Sequence, residues 1–264
     1  MSAEMIDLRD LSRKVNVDLP NHPHLREGAI ATWRGRMINE YSSARVFDGL
    51  SAHAKRAGLD ENLVKAVEGF AAEERNHGVM CGAVVEALGA EAYAPHREEH
   101  AYPVHADVSE LEGLLRNLLS ISCMSETVAV ALIGAERLEM PEGPLRELLT
   151  RIWSDEVGHA RFGWRLVHQL VPTLDAEAKA RLNKYVAVAF EHVERHELAH
   201  LPLTSRPPEE GAELGLCSGE DARTLFYETI RDVVIPGLHQ AGLDGATAWK
   251  ERLRYRSGLP ERFA

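Results

Sequence analysis

Two stretches of this chain pair a glutamate with a histidine three residues later. Residues 72–77 (AEERNH) offer Glu74 and His77, and residues 154–159 (SDEVGH) offer Glu156 and His159. On a helix, residues three apart share a face, so both side chains of a pair can reach one metal ion. Two further glutamates, Glu40 and Glu126, precede the motifs, with 33 residues between Glu40 and Glu74 and 29 between Glu126 and Glu156. Folding each pair back at a turn, near Leu59 and near Met140, brings its members nearly level at a rise of about 1.5 Å per residue. Four carboxylates without partners in an apolar interior would cost many kcal/mol or take up protons. Two divalent cations neutralise four carboxylates, and two imidazoles complete the ligand sets. Glu40, Glu74, His77, Glu126, Glu156 and His159 are therefore the candidate ligands. A mixed set, mostly oxygen and partly nitrogen, suits iron or manganese better than magnesium or a structural zinc.

Helices must position these residues, and the sequence reads as helical almost throughout. Trp33, Met37, Tyr41, Ala44 and Phe47 recur at three- and four-residue steps and predict a helix over 26–57. Gly58 stops it, and Asp60 caps a second helix over 61–88 that ends at Gly89. Residues 90–108, with two prolines and three histidines, form a long central break. Ser109-Glu-Leu-Glu112 reads as a capping box, with Glu112 reaching back, that opens a third helix to about 138. A fourth covers 144–171 and a fifth 174–201. After the loop 201–219, a sixth helix runs from Ser218 to about 240, interrupted by Pro236, and a short seventh lies in 244–256. No long segment alternates with period two, so essentially no sheet is expected. Four helices of about 28 residues, paired by short turns and with one long middle connection, predict an all-α four-helix bundle with a crossover. The domain reading is an N-terminal arm (1–25), a bundle with its fifth helix (26–202), and a C-terminal helical extension (203–264) packing on it.

A glutamate on each of two helices and Glu-x-x-His on the other two resembles the ferritin-like di-iron carboxylate superfamily, over roughly residues 26–171. The resemblance implies a pair of iron ions, with manganese as the alternative. It also implies chemistry with dioxygen: hydroxylation, N-oxygenation, desaturation or simple oxidation of iron. In that superfamily an acidic residue before the ligand glutamate often hydrogen-bonds a metal-bound histidine, which implies such a role for Asp155 and, one methylene longer, Glu73. Cys81 stands where some members place a radical-forming tyrosine, which argues against a stable tyrosyl radical there. The arylamine N-oxygenases carry a further histidine where this chain has Ile152, and the CxxC iron site of rubrerythrins is absent from the sequence.

The leading expectation is an O2-dependent oxidoreductase acting on a small organic substrate. The 90 or so residues after the bundle, unlike the short fifth helix of storage ferritins, would then form a lid or a homodimer surface. A ferroxidase or iron-handling protein, and a non-enzymatic helical scaffold, are the alternatives. No GxGxxG is present, so reducing equivalents would come from an external electron donor.

The bulk properties fit. The 264 residues, 45% hydrophobic and 27% charged, suffice for a real core. A net charge of −11 makes nucleic acid and anionic membrane surfaces poor partners. The three cysteines, Cys81, Cys123 and Cys217, are scattered and fit neither a zinc ribbon nor a disulfide framework. The polar N-terminus lacks a signal-peptide pattern, and the longest apolar run, 128–134, is too short to span a bilayer, so a cytoplasmic protein is expected.

Other features have two readings. Gly78, Cys81, Gly82, Gly158, Ala160 and Gly163 crowd the motifs, for close helix packing or for space beside a metal. Trp33, Tyr41, Trp153, Phe162 and Trp164 are core residues or line a pocket. His192, His196 and His200 form a stripe on the fifth helix, either a solvated face or a metal site.

Overall fold

The computed structural model describes residues 4–96 and 102–256. Four long helical stretches pack together. They are α2 (Arg26–Arg56), α3 (Glu61–Ala87), α4 and α5 joined by a π-helical segment (Glu110–Leu118, Leu119–Ser125, Glu126–Glu139), and α6 (Pro144–Leu170). Before them stand strand β1 (Met5–Asp7) and one helical turn, α1 (Arg9–Ser12). After them come α7 (Ala176–His200), α8 (Gly219–Thr229), a second π-helical segment (Ile230–Val234), α9 (Ile235–Gln240) and α10 (Gly245–Glu251). Among the described residues the fold is helical apart from turns and loops and from β1 and β2 (Tyr93–Pro95), which form a short antiparallel ribbon with Met5 opposite Pro95.

The helix starts follow from local chemistry. Asp60, Ser109, Asp175, Ser218 and Asp244 each accept a hydrogen bond from an amide in the first turn. Gly58, at φ +75°, makes the reversal between α2 and α3 in a conformation that favours glycine. The expected capping box at Ser109 is only half formed. Its hydroxyl caps Glu112, but the Glu112 carboxylate is buried and accepts from Arg116 and Arg181 instead. A buried carboxylate gains more from two guanidiniums than from one amide.

The described ends of the long middle connection lie at opposite ends of α2. At its start the Leu88 carbonyl accepts from Arg26, at the beginning of α2. At its far end Tyr102 hydrogen-bonds His53 near the end of α2, at 3.2 Å, and His105 pairs with Asn117 at 3.1 Å. The N-terminal arm lies against this structure: Ile6, Leu8 and Ser12 are buried, and the Ser12 hydroxyl donates to the Val79 carbonyl. The short ribbon escapes a period-two reading because each strand has three residues, of which one is buried.

Two apolar cores lie along the bundle. One holds Trp33, Met37, Cys81, Val84, Leu149 and Ile152, and the other Phe47, Leu50, Val67, Leu118, Phe162 and Leu166. On α2, α3 and α6 the candidate ligands fall between the residues given to the two cores. The C-terminal extension belongs to the second core through Phe226, Ile230, Val234 and Leu238. The stretch Glu110–Glu139 is long and apolar enough to cross a membrane by length and composition, longer than the run 128–134 alone suggested. Its apolarity has a structural use, since it lies between the α6 side of the bundle and α7–α8, and it carries Glu126 and the buried Glu112–Arg116 pair.

Candidate metal centre

Each long helical stretch delivers its acidic residue to mid-bundle. Glu40 comes from α2, Glu74 and His77 from α3, Glu126 from the first turn of α5, and Glu156 and His159 from α6. They form two overlapping sets, Glu40–Glu74–His77–Glu156 and Glu74–Glu126–Glu156–His159, and within each set one candidate ligand atom per residue lies within 4.8 Å of the others. Glu74 and Glu156 belong to both sets, so each can span two cations. The structure therefore brings all six predicted residues into one buried cluster that could hold a metal ion.

The histidines are oriented for this. His77 Nε2 is 3.0 Å from Asp155 Oδ2, and His159 Nε2 is 2.8 Å from Glu73 Oε2. Each carboxylate thus fixes the proton on Nε2 and leaves Nδ1 as the inward lone pair. His77 Nδ1 lies 3.2 Å from Glu156 and 3.4 Å from Glu40, and His159 Nδ1 lies 3.2 Å from Glu74 and 3.3 Å from Glu156. Both Nδ1 atoms are buried and have no hydrogen-bond partner. A buried polar atom left unpaired is costly unless something else meets it, and a cation among four carboxylates would. The residues fit a metal pair.

The electrostatics agree. Burial, and then repulsion from Glu156, push Glu74 up to about 8. Burial raises Glu126 well above the carboxylate range as well. Burial alone would raise Glu156 too, but Glu126 and the nearby imidazoles of His159 and His77 hold it below that range. Burial would lower His77, yet its contacts with Glu156 and Glu40 push it up to about 12, and His159, which burial would also lower, is raised by Glu126, Glu156 and Glu74. Without cations, the cluster balances its charge with protons.

The surroundings resolve several open readings. A Cβ on Gly78 would meet Tyr41 at 2.9 Å, one on Gly82 would strike Ser12, and one on Gly163 would strike Ser122, so these three glycines allow close packing. Gly158 has nothing near it. Trp153 donates to the Val130 carbonyl, Trp164 to Thr127 and Trp33 to the Leu214 carbonyl. Burial and the neighbouring Glu40 raise the Cys81 thiol, so it packs as a neutral group. His192 and His196 stack, with His196 against His200, on the far part of α7.

Three features had not been singled out. Phe70, at 4.4 Å between ring centroids, and Phe47, at 5.1 Å, cover the His159 ring. Phe70 lies four residues before Glu74, so helical spacing from the motif would have found it. The π-helical turn before Glu126 has no sequence signal that we can identify. The third is an ion pair between Arg36 and Glu136. No protein-family model matches the chain, and no curated protein matches it.

Proposed function

We propose that the cluster binds two iron ions, or two manganese ions, and that the protein is an O2-activating oxidoreductase acting on a small organic substrate, with the ferritin-like di-iron carboxylate architecture. The observation that carries this reading is the pair of overlapping ligand sets in which both histidines keep a buried, unpartnered Nδ1. Four carboxylates and two imidazoles suit iron and manganese. Two ferrous ions together supply dioxygen with two electrons. The chain's own residues hold the pair through Glu40, Glu74, His77, Glu126, Glu156 and His159. They orient the imidazoles through Asp155 and Glu73, and keep bulk water from His159 with Phe47 and Phe70. The extension favours a substrate enzyme over an iron store, because Phe226, Ile230 and Val234 make it part of the core.

The test is a metal count by mass spectrometry on protein from iron-grown cells, with Glu74→Ala and His159→Ala alongside and helicity read by circular dichroism. About two irons per wild-type chain, and a substantial loss in folded variants, is the expected result for a site of this type. Two manganese ions would keep the site and reopen the choice of chemistry. Oxidation of many added ferrous ions per chain would favour iron handling over an oxygenase. Absence of metal after anaerobic ferrous reconstitution would overturn the reading and leave a helical scaffold.

A further inference from the structure

The six candidate ligands are not equally covered. The side chains of Glu74 and Glu156 are 3% and 4% exposed and both histidines 0%, whereas Glu40 keeps 14% and Glu126 11%. The two more open carboxylates come from α2 and α5. Ile38 and Asn39 beside Glu40 are only half-buried, as are residues 129–135 of α5. Among the described residues, the hydrogen bond between these two helices is the one from Arg36 to Glu136. The side where α2 faces α5 is the looser side of the cluster.

Glu136 is the odd group there. Its side chain is 7% exposed, and its Oε2 accepts from Arg36, whose own side chain is 22% exposed. Its Oε1 is buried and has no partner. The pair lies near the cluster: Cys81, one turn beyond His77, feels the charges of Glu40 and Glu74 as well as those of Arg36 and Glu136. At 1.5 Å rise per residue, Arg36 is about 6 Å along its helix from Glu40 and Glu136 about 15 Å along its helix from Glu126. The neighbours are apolar. The Arg36 guanidinium lies over Trp33, 5.0 Å from the ring centroid, and Ile133 packs against the apolar core to which Trp33, Met37 and Cys81 belong.

We propose that Glu136 and Arg36 bind the head group of the substrate. The head is a neutral group that both donates and accepts hydrogen bonds, of the primary-amide type, on an apolar chain long enough to reach the cluster. The Glu136 Oε1 lone pair requires a donor, and Arg36, which gives one N–H group to Glu136, has others for an acceptor. An anionic head would compete for Arg36 and strand a buried carboxylate, and an ammonium would face Arg36. Recognition by both partners would place the chain's other end at the Glu40–Glu126 side. The substrate assignment rests on the cluster being a metal centre; the head-group site does not.

Octanamide is the probe, titrated into the metal-loaded protein and followed by tryptophan fluorescence, with octanoate and octylamine in parallel and metal counted on the same samples. We expect saturable binding of octanamide, at least tenfold tighter than of either charged analogue. The Arg36→Met/Glu136→Met double variant removes both partners and so leaves no stranded charge. It should abolish that preference with helicity and metal content unchanged. No saturable binding, equal binding of the three probes, or a preference that survives in the double variant would overturn the proposal. Wild-type protein that shows the preference but holds no metal would sustain the head-group site and overturn the metal reading alone.

Discussion

Asp155 belongs to the motif on α6 yet holds His77 of α3, while Glu73 of α3 holds His159 of α6. This exchange ties the two histidine-bearing helices across the cluster, and each carboxylate is partly exposed while its histidine is buried. Removing one charge should therefore weaken the orientation of an imidazole without opening the core. Asp155→Asn keeps the size of the side chain but can present its amide nitrogen to Nε2, which favours the wrong tautomer. We expect Asp155→Asn and Glu73→Gln each to lower metal affinity by about 10- to 100-fold, as such outer partners of metal-bound histidines do. Competition with a chelator, read by metal content at a series of free-metal concentrations, checks this. Affinity equal to wild type in both variants would mean that these carboxylates are only surface charges.

At the scale of elements, the glutamate and histidine positions were legible because helix geometry is regular. Three-residue spacing put Glu74 with His77 and Glu156 with His159, and similar distances from the turns made the pairs nearly level. Regularity is also what hid the rest. The third long helix is not α-helical throughout, for residues Leu119–Ser125 form a π-helical turn immediately before Glu126. Such turns add a residue to the helix and recur at functional sites. One extra residue rotates everything after it by about 100°, so the turn sets the direction of Glu126 relative to Leu114, Leu115 and Leu118, which face the second core. It also brings Ser122 against Gly163 and leaves the Ser122 hydroxyl buried without a partner. The Arg36–Glu136 pair was missed for another reason: 99 residues separate its members, and no local pattern announces a long-range ion pair. Deleting Ser120 removes the extra residue, so it should convert the segment to regular α-helix while keeping Glu126 in the Glu74–Glu126–Glu156–His159 set. Metal content equal to wild type, with helix content by circular dichroism unchanged, is the expected outcome. A loss to about one metal per chain would show that Glu126 depends on the turn itself.

At the scale of the molecule, two apolar cores lie along the bundle with a charged cluster between them, and its charge balance must register in the stability of the whole fold. Glu74 is pushed up to about 8 in the folded protein, from an ordinary value near 4.5. Between those pH values the metal-free folded protein binds more protons at this site than the unfolded chain does, so stability falls as pH rises through the window. His77 acts in the same sense, from 6.5 up to about 12, because its raised value gives stability that is present below 6.5 and lost above it. Glu156 is held low, so its contribution is present above about 4.5 and is lost only in acid. Bound cations would change this balance, since they would take the place of the protons and, binding only the folded arrangement, add their binding free energy to stability. Chelator-treated protein should therefore melt at progressively lower temperature from pH 5 to pH 8. Reconstituted protein should melt higher throughout, with the largest gain at pH 8, where metal displaces the fewest protons. Calorimetric scans at pH 5, 6.5 and 8 with and without metal measure both effects. A metal-free melting temperature that rises across this range would mean that the buried carboxylates are already ionised and satisfied without cations, and that the cluster stabilises the bundle as a network of ion pairs alone.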